Sequence, residues 1–332
     1  MQAVDDEVLN QVCEWLSAGE RCWLATVIET WGSSPRPVGS LFACNGRGQI
    51  VGSLSGGCVE DDLLDKLTAG ELASERPQFF HYGISPEETE KFGLPCGGSL
   101  HITIEPLQPD AATLEHFAQL RSRVAARTWT RRRVELGSGK RSLTAVEALA
   151  PLLWDASSQT LTHTYGPRHQ LFIIGAGMVS KYLAELARQL DYQVTVCDPR
   201  EQLLSEFGID GVRLLCDMPD DAVREHASDP SSAIVALTHD PRIDDMGLME
   251  ALHTEAFYVG AMGSSRTSAS RRERLRALDV GEQALERLHA PIGLPIGSKT
   301  PPEIAVAIMA EIIAVRSRAT AAAQQQLAAQ AS

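Results

Sequence analysis

Two glycine-flanked thiols stand out in the first half of this 332-residue chain. One lies in Gly52-Ser53-Leu54-Ser55-Gly56-Gly57-Cys58-Val59-Glu60, where a cysteine follows a glycine pair and opens an acidic helix. The other lies in Cys96-Gly97-Gly98-Ser99. Glycine lets the backbone take positive φ or come close to a ligand. A thiol at a helix N-terminus feels the positive end of the dipole and loses its proton more easily. Cys58 and Cys96 therefore read as soft-ligand or sulfur chemistry. Small buried residues in tight turns are the alternative that residue type alone leaves open. Arg36 is the charged tip of a similar loop, Gly32-Ser33-Ser34-Pro35-Arg36-Pro37-Val38-Gly39, which ordinary turn chemistry also explains.

The second half offers a different chemistry. Gly175-Ala176-Gly177-Met178-Val179-Ser180 stands between an apolar run at 171–174 and helical spacing through Leu183, Leu186, Ala187 and Leu190. A helix start with free N–H groups holds phosphate, so Gly175 and Gly177 mark a nucleotide-type fold. Ser180 replaces the third glycine, which serves helix–strand packing. That weakens a dinucleotide reading without removing it. Asp198 ends the next strand, where it either bonds a ribose hydroxyl or caps its own loop. Thr238-His239-Asp240 ends a third strand. His239 there is an acid/base or phosphate-bonding candidate, or a satisfied loop histidine. Gly260-Ala261-Met262-Gly263-Ser264-Ser265-Arg266-Thr267 supplies hydroxyls and Arg266 at another helix start, a second anion site. A plain N-cap accounts for Ser264 alone. Lys299, in Pro291-Ile292-Gly293-Leu294-Pro295-Ile296-Gly297-Ser298-Lys299-Thr300, is a further charged tip.

Those residues need elements to hold them. Apolar spacing predicts helices over 5–18, 59–67, 110–124 and 303–316. It predicts strands over 22–28 and 100–104, a hairpin of 40–44 with 49–54 closed by Asn45-Gly46, and several short strands between 129 and 165. Buried strands at 171–174, 194–197, 233–237 and 256–259 alternate with helical segments, the pattern of a parallel sheet with helices on both faces. The chain thus divides into an N-terminal mixed α+β domain (1–166) and an α/β Rossmann-like domain (167–318). An Ala/Gln-rich tail (319–332) is expected to fray.

Bulk properties narrow the function. A net charge of −13 argues against nucleic-acid or membrane-surface partners. Two basic stretches, 121–133 and 271–276, read as solvated faces, with an acidic partner or a phosphate as the alternative. The seven cysteines are scattered without C-x-x-C spacing, which fits a reducing compartment, and the acidic first ten residues do not read as a signal peptide. A cytoplasmic location is the expectation. No hydrolase elbow, zinc-protease helix or Walker loop is present.

Together these motifs resemble the XdhC/CoxI family of accessory proteins for molybdenum hydroxylases. The resemblance runs over residues 8–318, through Gly32 to Arg36, Gly52 to Glu60, Cys96 to Gly98, Gly175 to Gly177, Thr238 to Asp240, Gly260 to Ser264 and Ala290 to Gly297. It implies a carrier of molybdenum cofactor, not a catalyst in its own right. Such a carrier holds the cofactor while it gains its sulfido ligand and helps load it into a xanthine dehydrogenase-type apoenzyme. Interaction with a cysteine desulfurase is implied as well. On that reading Cys58 and Cys96 lie near the metal or its sulfur. Arg36, Gly175, Gly177, Asp198, His239, Ser264 and Arg266 then surround the pterin or its phosphate. Competing readings are an NAD(P)-dependent oxidoreductase with Asp198 on the adenosine ribose, and a scaffold that bridges enzyme and sulfurase. A homodimer is left open.

Overall fold

The computed structural model describes residues 3–30, 36–57, 59–83, 99–147 and 149–330, with backbone alone from 319 on. Cys58 and Cys96 lie outside the described residues. The chain forms two compact units, Met1–Pro167 and Arg168–Ser332.

In the first unit, β1 (Cys22–Thr30), β2 (Leu41–Asn45), β3 (Ile50–Gly52), β4 (Gln78–Tyr82) and β5 (Leu100–Leu107) form an antiparallel sheet in the order β3-β2-β1-β5-β4. Strand β1 is apolar without alternation because both of its faces are covered. Leu24 and Leu41 pack with Val8, Val12 and Leu16 of α1 (Ala3–Ser17) and with Phe117 and Leu120 of α3 (Ala111–Ala125). Ala25, Val27 and Phe42 pack on the other side with Leu63 and Leu67 of α2 (Glu60–Thr68). Asp110 caps α3 by accepting from the Thr113 N–H. The hairpin turn is closed by Asn45, whose side-chain oxygen accepts from the N–H groups of Arg47 and Gln49.

A second antiparallel sheet, β7-β6-β9-β8, is built from β6 (Thr130–Glu135), β7 (Arg141–Ala145), β8 (Leu153–Asp155) and β9 (Thr160–Tyr165). Strand β6 alternates buried and exposed residues, and its inward set is Thr130, Arg132 and Val134. The basic stretch at 121–133 is therefore not uniformly a solvated face. Arg132 is 1% exposed and makes two 2.7 Å bonds to the buried Glu105 carboxylate.

The second unit holds a six-stranded parallel sheet: β10 (Gln170–Ile174), β11 (Gln193–Cys197), β12 (Arg213–Leu215), β13 (Ser232–Ala236), β14 (Tyr258–Ala261) and β15 (Leu288–His289). Its order is β12-β11-β10-β13-β14-β15. Counted from β10, that is 3-2-1-4-5-6, the Rossmann order, with the connection reversing between β10 and β13. One face is covered by α4 (Met178–Gln189) and α10 (Pro301–Gln330), through Leu183, Ala184, Ile308 and Ile312. The other face is covered by α6 (Pro219–His226), α7 (Pro241–Ala251) and α8 (Ser265–Ala277), through Val223, Leu248 and Leu275. Two short helices, α5 (Glu201–Ser205) and α9 (Glu282–Glu286), complete the crossovers. The last helix runs to Gln330, beyond the expected end at Arg316 and through the segment expected to fray. Alanine and glutamine are good helix formers, and no glycine or proline follows Pro302. No helix among the described residues is long and apolar enough to cross a membrane.

Candidate functional site

The residues before Cys58 leave β3 through Gly52, whose φ is +80°. A Cβ there would stand 2.3 Å from the Leu41 carbonyl oxygen, so glycine is a steric requirement. The loop then folds around one carboxylate. Oε1 of Glu60, at the first position of α2, accepts from Ser53 Oγ (2.7 Å), Leu54 N (2.8 Å) and Ser55 N (3.0 Å). Oε2 accepts from Ser55 Oγ (2.6 Å), Gly57 N (3.1 Å) and Val59 N (3.1 Å). Burial alone would raise the Glu60 carboxyl. The bonds from Ser55, Ser53 and Leu54 outweigh it and bring the group down to about 2.

The residues on either side of Cys58 are held by this carboxylate. The N–H groups of Gly57 and Val59 both point at Glu60, and Asp61 and Asp62 follow in the first turn. The positive end of α2 is thus already met by the chain's own carboxylates. Arg36 braces the same loop. Its Nε donates to the Ser53 carbonyl at 3.3 Å, and Nη2 lies 3.9 Å from Asp5.

In the second unit the candidates gather where the loops leave the carboxyl ends of the parallel strands. Gly175, at φ +106°, donates its N–H to the Cys197 carbonyl at 2.8 Å. A Cβ on it would fall 2.7 Å from Thr238 Cγ2, so the loops after β10 and β13 touch through this glycine. Gly177 is the N-cap of α4 with an unstrained φ of −86°, and a Cβ there would meet nothing within 4 Å. Ser180 is fully buried in the first turn behind it, where the sequence places the packing position of the motif.

Asp198 is fully buried and saturated. It accepts from Ala176 N (2.8 Å), Arg200 N (3.0 Å), Arg200 Nε (2.8 Å) and Arg200 Nη2 (2.8 Å). Burial pushes this carboxyl up, but the bonds from Arg200 and Ala176 prevail and hold it below the usual range. His239 is exposed, in a left-handed conformation at φ +64°. Beneath it, Asp244 accepts from Thr238 Oγ1 (2.7 Å) and Thr238 N (3.1 Å). Arg271 reaches Asp244 at 3.1 Å and donates to the Met262 carbonyl at 2.9 Å. One buried relay therefore fixes the loops after β13 and β14 relative to each other. Burial raises the Asp244 carboxyl despite Thr238 and Arg271.

The basic stretch at 271–276 is committed internally, against its reading as a solvated face. Arg271 and Arg274 bond Asp245, Arg272 bonds the carbonyls of Leu285 and Leu288, and Arg276 bonds Glu282. Ser264 caps α8 by accepting from Thr267 N at 3.2 Å, and Arg266 is exposed beside it. The loop after β15 is held from the last helix, where Glu311 accepts from Gly293 N at 2.7 Å. Lys299 is exposed at the start of α10, its backbone N–H bonded to Glu303 at 2.8 Å.

Gly175, Gly177, Asp198, His239 and Ser264 thus occupy loops on one edge of one sheet, with Arg266 in the first turn of α8, while Arg36 belongs to the other unit. Sequence reading did not single out Glu60, Arg200 or the Asp244–Arg271 pair. Only pairing in space distinguishes them from other surface charges, although Glu60 did stand at the head of an acidic helix. Among the described residues no three His, Cys, Asp or Glu side chains are placed to hold a metal ion. The thiols considered for that role, Cys58 and Cys96, lie outside those residues.

Comparison with known proteins agrees with this layout. Residues 171–312 match the family model described as the XdhC Rossmann domain, and residues 15–83 match that of the XdhC and CoxI family. A Bacillus subtilis protein, named as a probable component of xanthine dehydrogenase, is 25% identical over 90% of this chain and 94% of its own. An Escherichia coli protein named molybdenum cofactor insertion chaperone PaoD is 26% identical, over 93% of this chain and 88% of its own. A crystal structure described as a xanthine dehydrogenase from Bacillus halodurans superposes with a TM-score of 0.70 at 25% identity. It covers 93% of this chain and 96% of that one.

Proposed function

Because the chain belongs to the XdhC and CoxI family, we propose that it is a molybdenum-cofactor insertion chaperone for a xanthine dehydrogenase-type hydroxylase. The observation that carries this reading is that one chain joins both family halves and aligns over 93% of its length with a relative named as such a chaperone. The cofactor is cargo: a pterin with a phosphate and a soft metal–sulfur centre. The open space over Gly177, at a helix start, suits the phosphate. His239, Ser264 and Arg266 line the same edge. In the first unit, Glu60 orders and Arg36 braces the loop residues on either side of Cys58 in the sequence. Cys58 and Cys96 are assigned to the metal or its sulfur, since thiolates suit soft centres. Holding the cofactor during sulfuration, with a cysteine desulfurase as sulfur source, completes the proposed cycle.

An NAD(P)-dependent oxidoreductase that reads ribose through Asp198 fits less well, because that carboxylate already accepts four bonds and is fully buried. The test is purification without oxygen, followed by metal and pterin analysis and transfer to a cofactor-free hydroxylase. Bound molybdenum and pterin, with activation of the hydroxylase, are expected. Cys58→Ala should lower retention or activation with an unchanged melting temperature. No bound cofactor and no activation would overturn the proposal.

A further inference from the structure

The crevice where β10 and β13 diverge is where ligands bind on a sheet of this order, and the acid ending the second strand ordinarily meets a ribose diol. Here that acid is Asp198, and it is out of reach. Its side chain is 0% exposed, covered on one side by the Ala176 N–H and on the other by Arg200. What the crevice presents in its place is the guanidinium of Arg200, 43% exposed and held in a two-point clamp on Asp198 by Nε and Nη2, both at 2.8 Å. The clamp fixes the plane of the group and leaves its remaining N–H donors for a ligand.

A further feature points to a ligand on this edge. Gly177 needs glycine neither for its φ of −86° nor for packing, since a Cβ would meet nothing within 4 Å. The absent side chain leaves open space directly at the start of α4.

We infer that Arg200 is a specificity-determining residue: the edge of the second unit selects a ligand bearing a phosphate ester and disfavours one that offers only a ribose diol. A fixed, half-exposed guanidinium matches phosphate in shape and charge, and an arginine near this strand end is how such sheets accept a ribose 2′-phosphate. A diol would have to displace Arg200 to reach the acid and would leave the buried Asp198 carboxylate without its charge partner. The same chemistry serves two sources, the phosphate of a pterin cofactor and the phosphate on the ribose of a nucleotide. The nucleotide source stands apart from the carrier reading, and the pterin source rests on it.

The test uses the full chain. NADPH and NADH are titrated by calorimetry, and molybdenum and pterin content are measured after anaerobic purification, for the native protein, Arg200→Gln and Arg200→Lys. Glutamine still donates one bond to Asp198 without the charge, and lysine keeps the charge without the fork. For a nucleotide source, NADPH binds at least about tenfold tighter than NADH, and the preference vanishes in Arg200→Gln and partly returns in Arg200→Lys. For a pterin source, neither nucleotide binds, while cofactor content falls in Arg200→Gln with an unchanged melting temperature. Equal affinity for NADH and NADPH overturns the inference. So does a glutamine variant that matches the native protein in both measurements. Native protein that lacks cofactor but prefers NADPH would sink the carrier reading and leave this inference standing.

Discussion

Glu60 shows how much a single buried carboxylate can organise. It accepts three N–H or O–H donors on each oxygen, and the two backbone donors that flank Cys58 are among them. Gly56 and Gly57, at φ +86° and +111°, supply the left-handed turns that aim those donors inward. Glu60→Ala leaves the donors unsatisfied, and we expect a loss of about 2–3 kcal/mol in urea unfolding. The acid dependence follows from its depressed pKa. The carboxyl is held near 2 when folded, against 4.5 as its ordinary value. The unfolded chain therefore takes up a proton first, and the Glu60 contribution is complete above about pH 4.5 and fades as pH falls toward 2. Native protein should lose stability across that window more steeply than Glu60→Gln. Parallel stability–pH curves for the two would rule out the role given to this carboxylate.

At the scale of elements, the first unit is joined across its two sheets by charge. Glu105 on β5 and Arg132 on β6 pair through two 2.7 Å bonds, Arg141 on β7 adds a third at 3.2 Å, and the Arg132 Nε meets His116 at 3.0 Å. Burial first and the Arg132 charge second push the His116 imidazole down to about 3, so it is neutral beside the guanidinium. Both partners of the central pair are buried, so removing Arg132 leaves the Glu105 carboxylate with Arg141 alone. Arg132→Met is expected to cost about 3–5 kcal/mol. Glu105→Leu combined with Arg132→Met should recover most of that loss, because neither fully buried charge is left without the other and Arg141 keeps its bonds to Thr113 and the Pro106 carbonyl. Denaturant melts of the single and double variants decide the matter. A double variant as unstable as the single one would mean that the ion pair itself, not the avoidance of a lone charge, sustains the interface. This pair also marks where sequence reading stops. The arginine run at 131–133 gives no hint that its middle member points inward, except that β6 alternates.

The whole molecule consists of two units, and each closes its own hydrophobic cores. Residues of the first pack around Val27 and Leu24, and those of the second pack on the two faces of β10 through Leu171 and Phe172. Fragments 1–167 and 168–332, expressed separately, should each melt cooperatively, and their circular dichroism spectra should sum to that of the intact chain. Fragments that are soluble only when mixed would show that neither core suffices alone.

The sequence by itself determined the strand–helix alternation of the second half, the glycine loop that follows its first strand, the motifs of the family and the acidic helix after Cys58. Those features are local: an apolar period, a glycine where the backbone turns, a cap such as Asp110. The short edge strands β12 and β15, of three and two residues, carry no period to read. Tertiary structure alone decided which charges are used. It sealed Asp198 under Arg200, joined Asp244 to Arg271 across 27 residues and turned Arg132 inward to Glu105. A charge is solvated at low cost on a surface and must find a partner once buried, and only the packed chain settles which case applies.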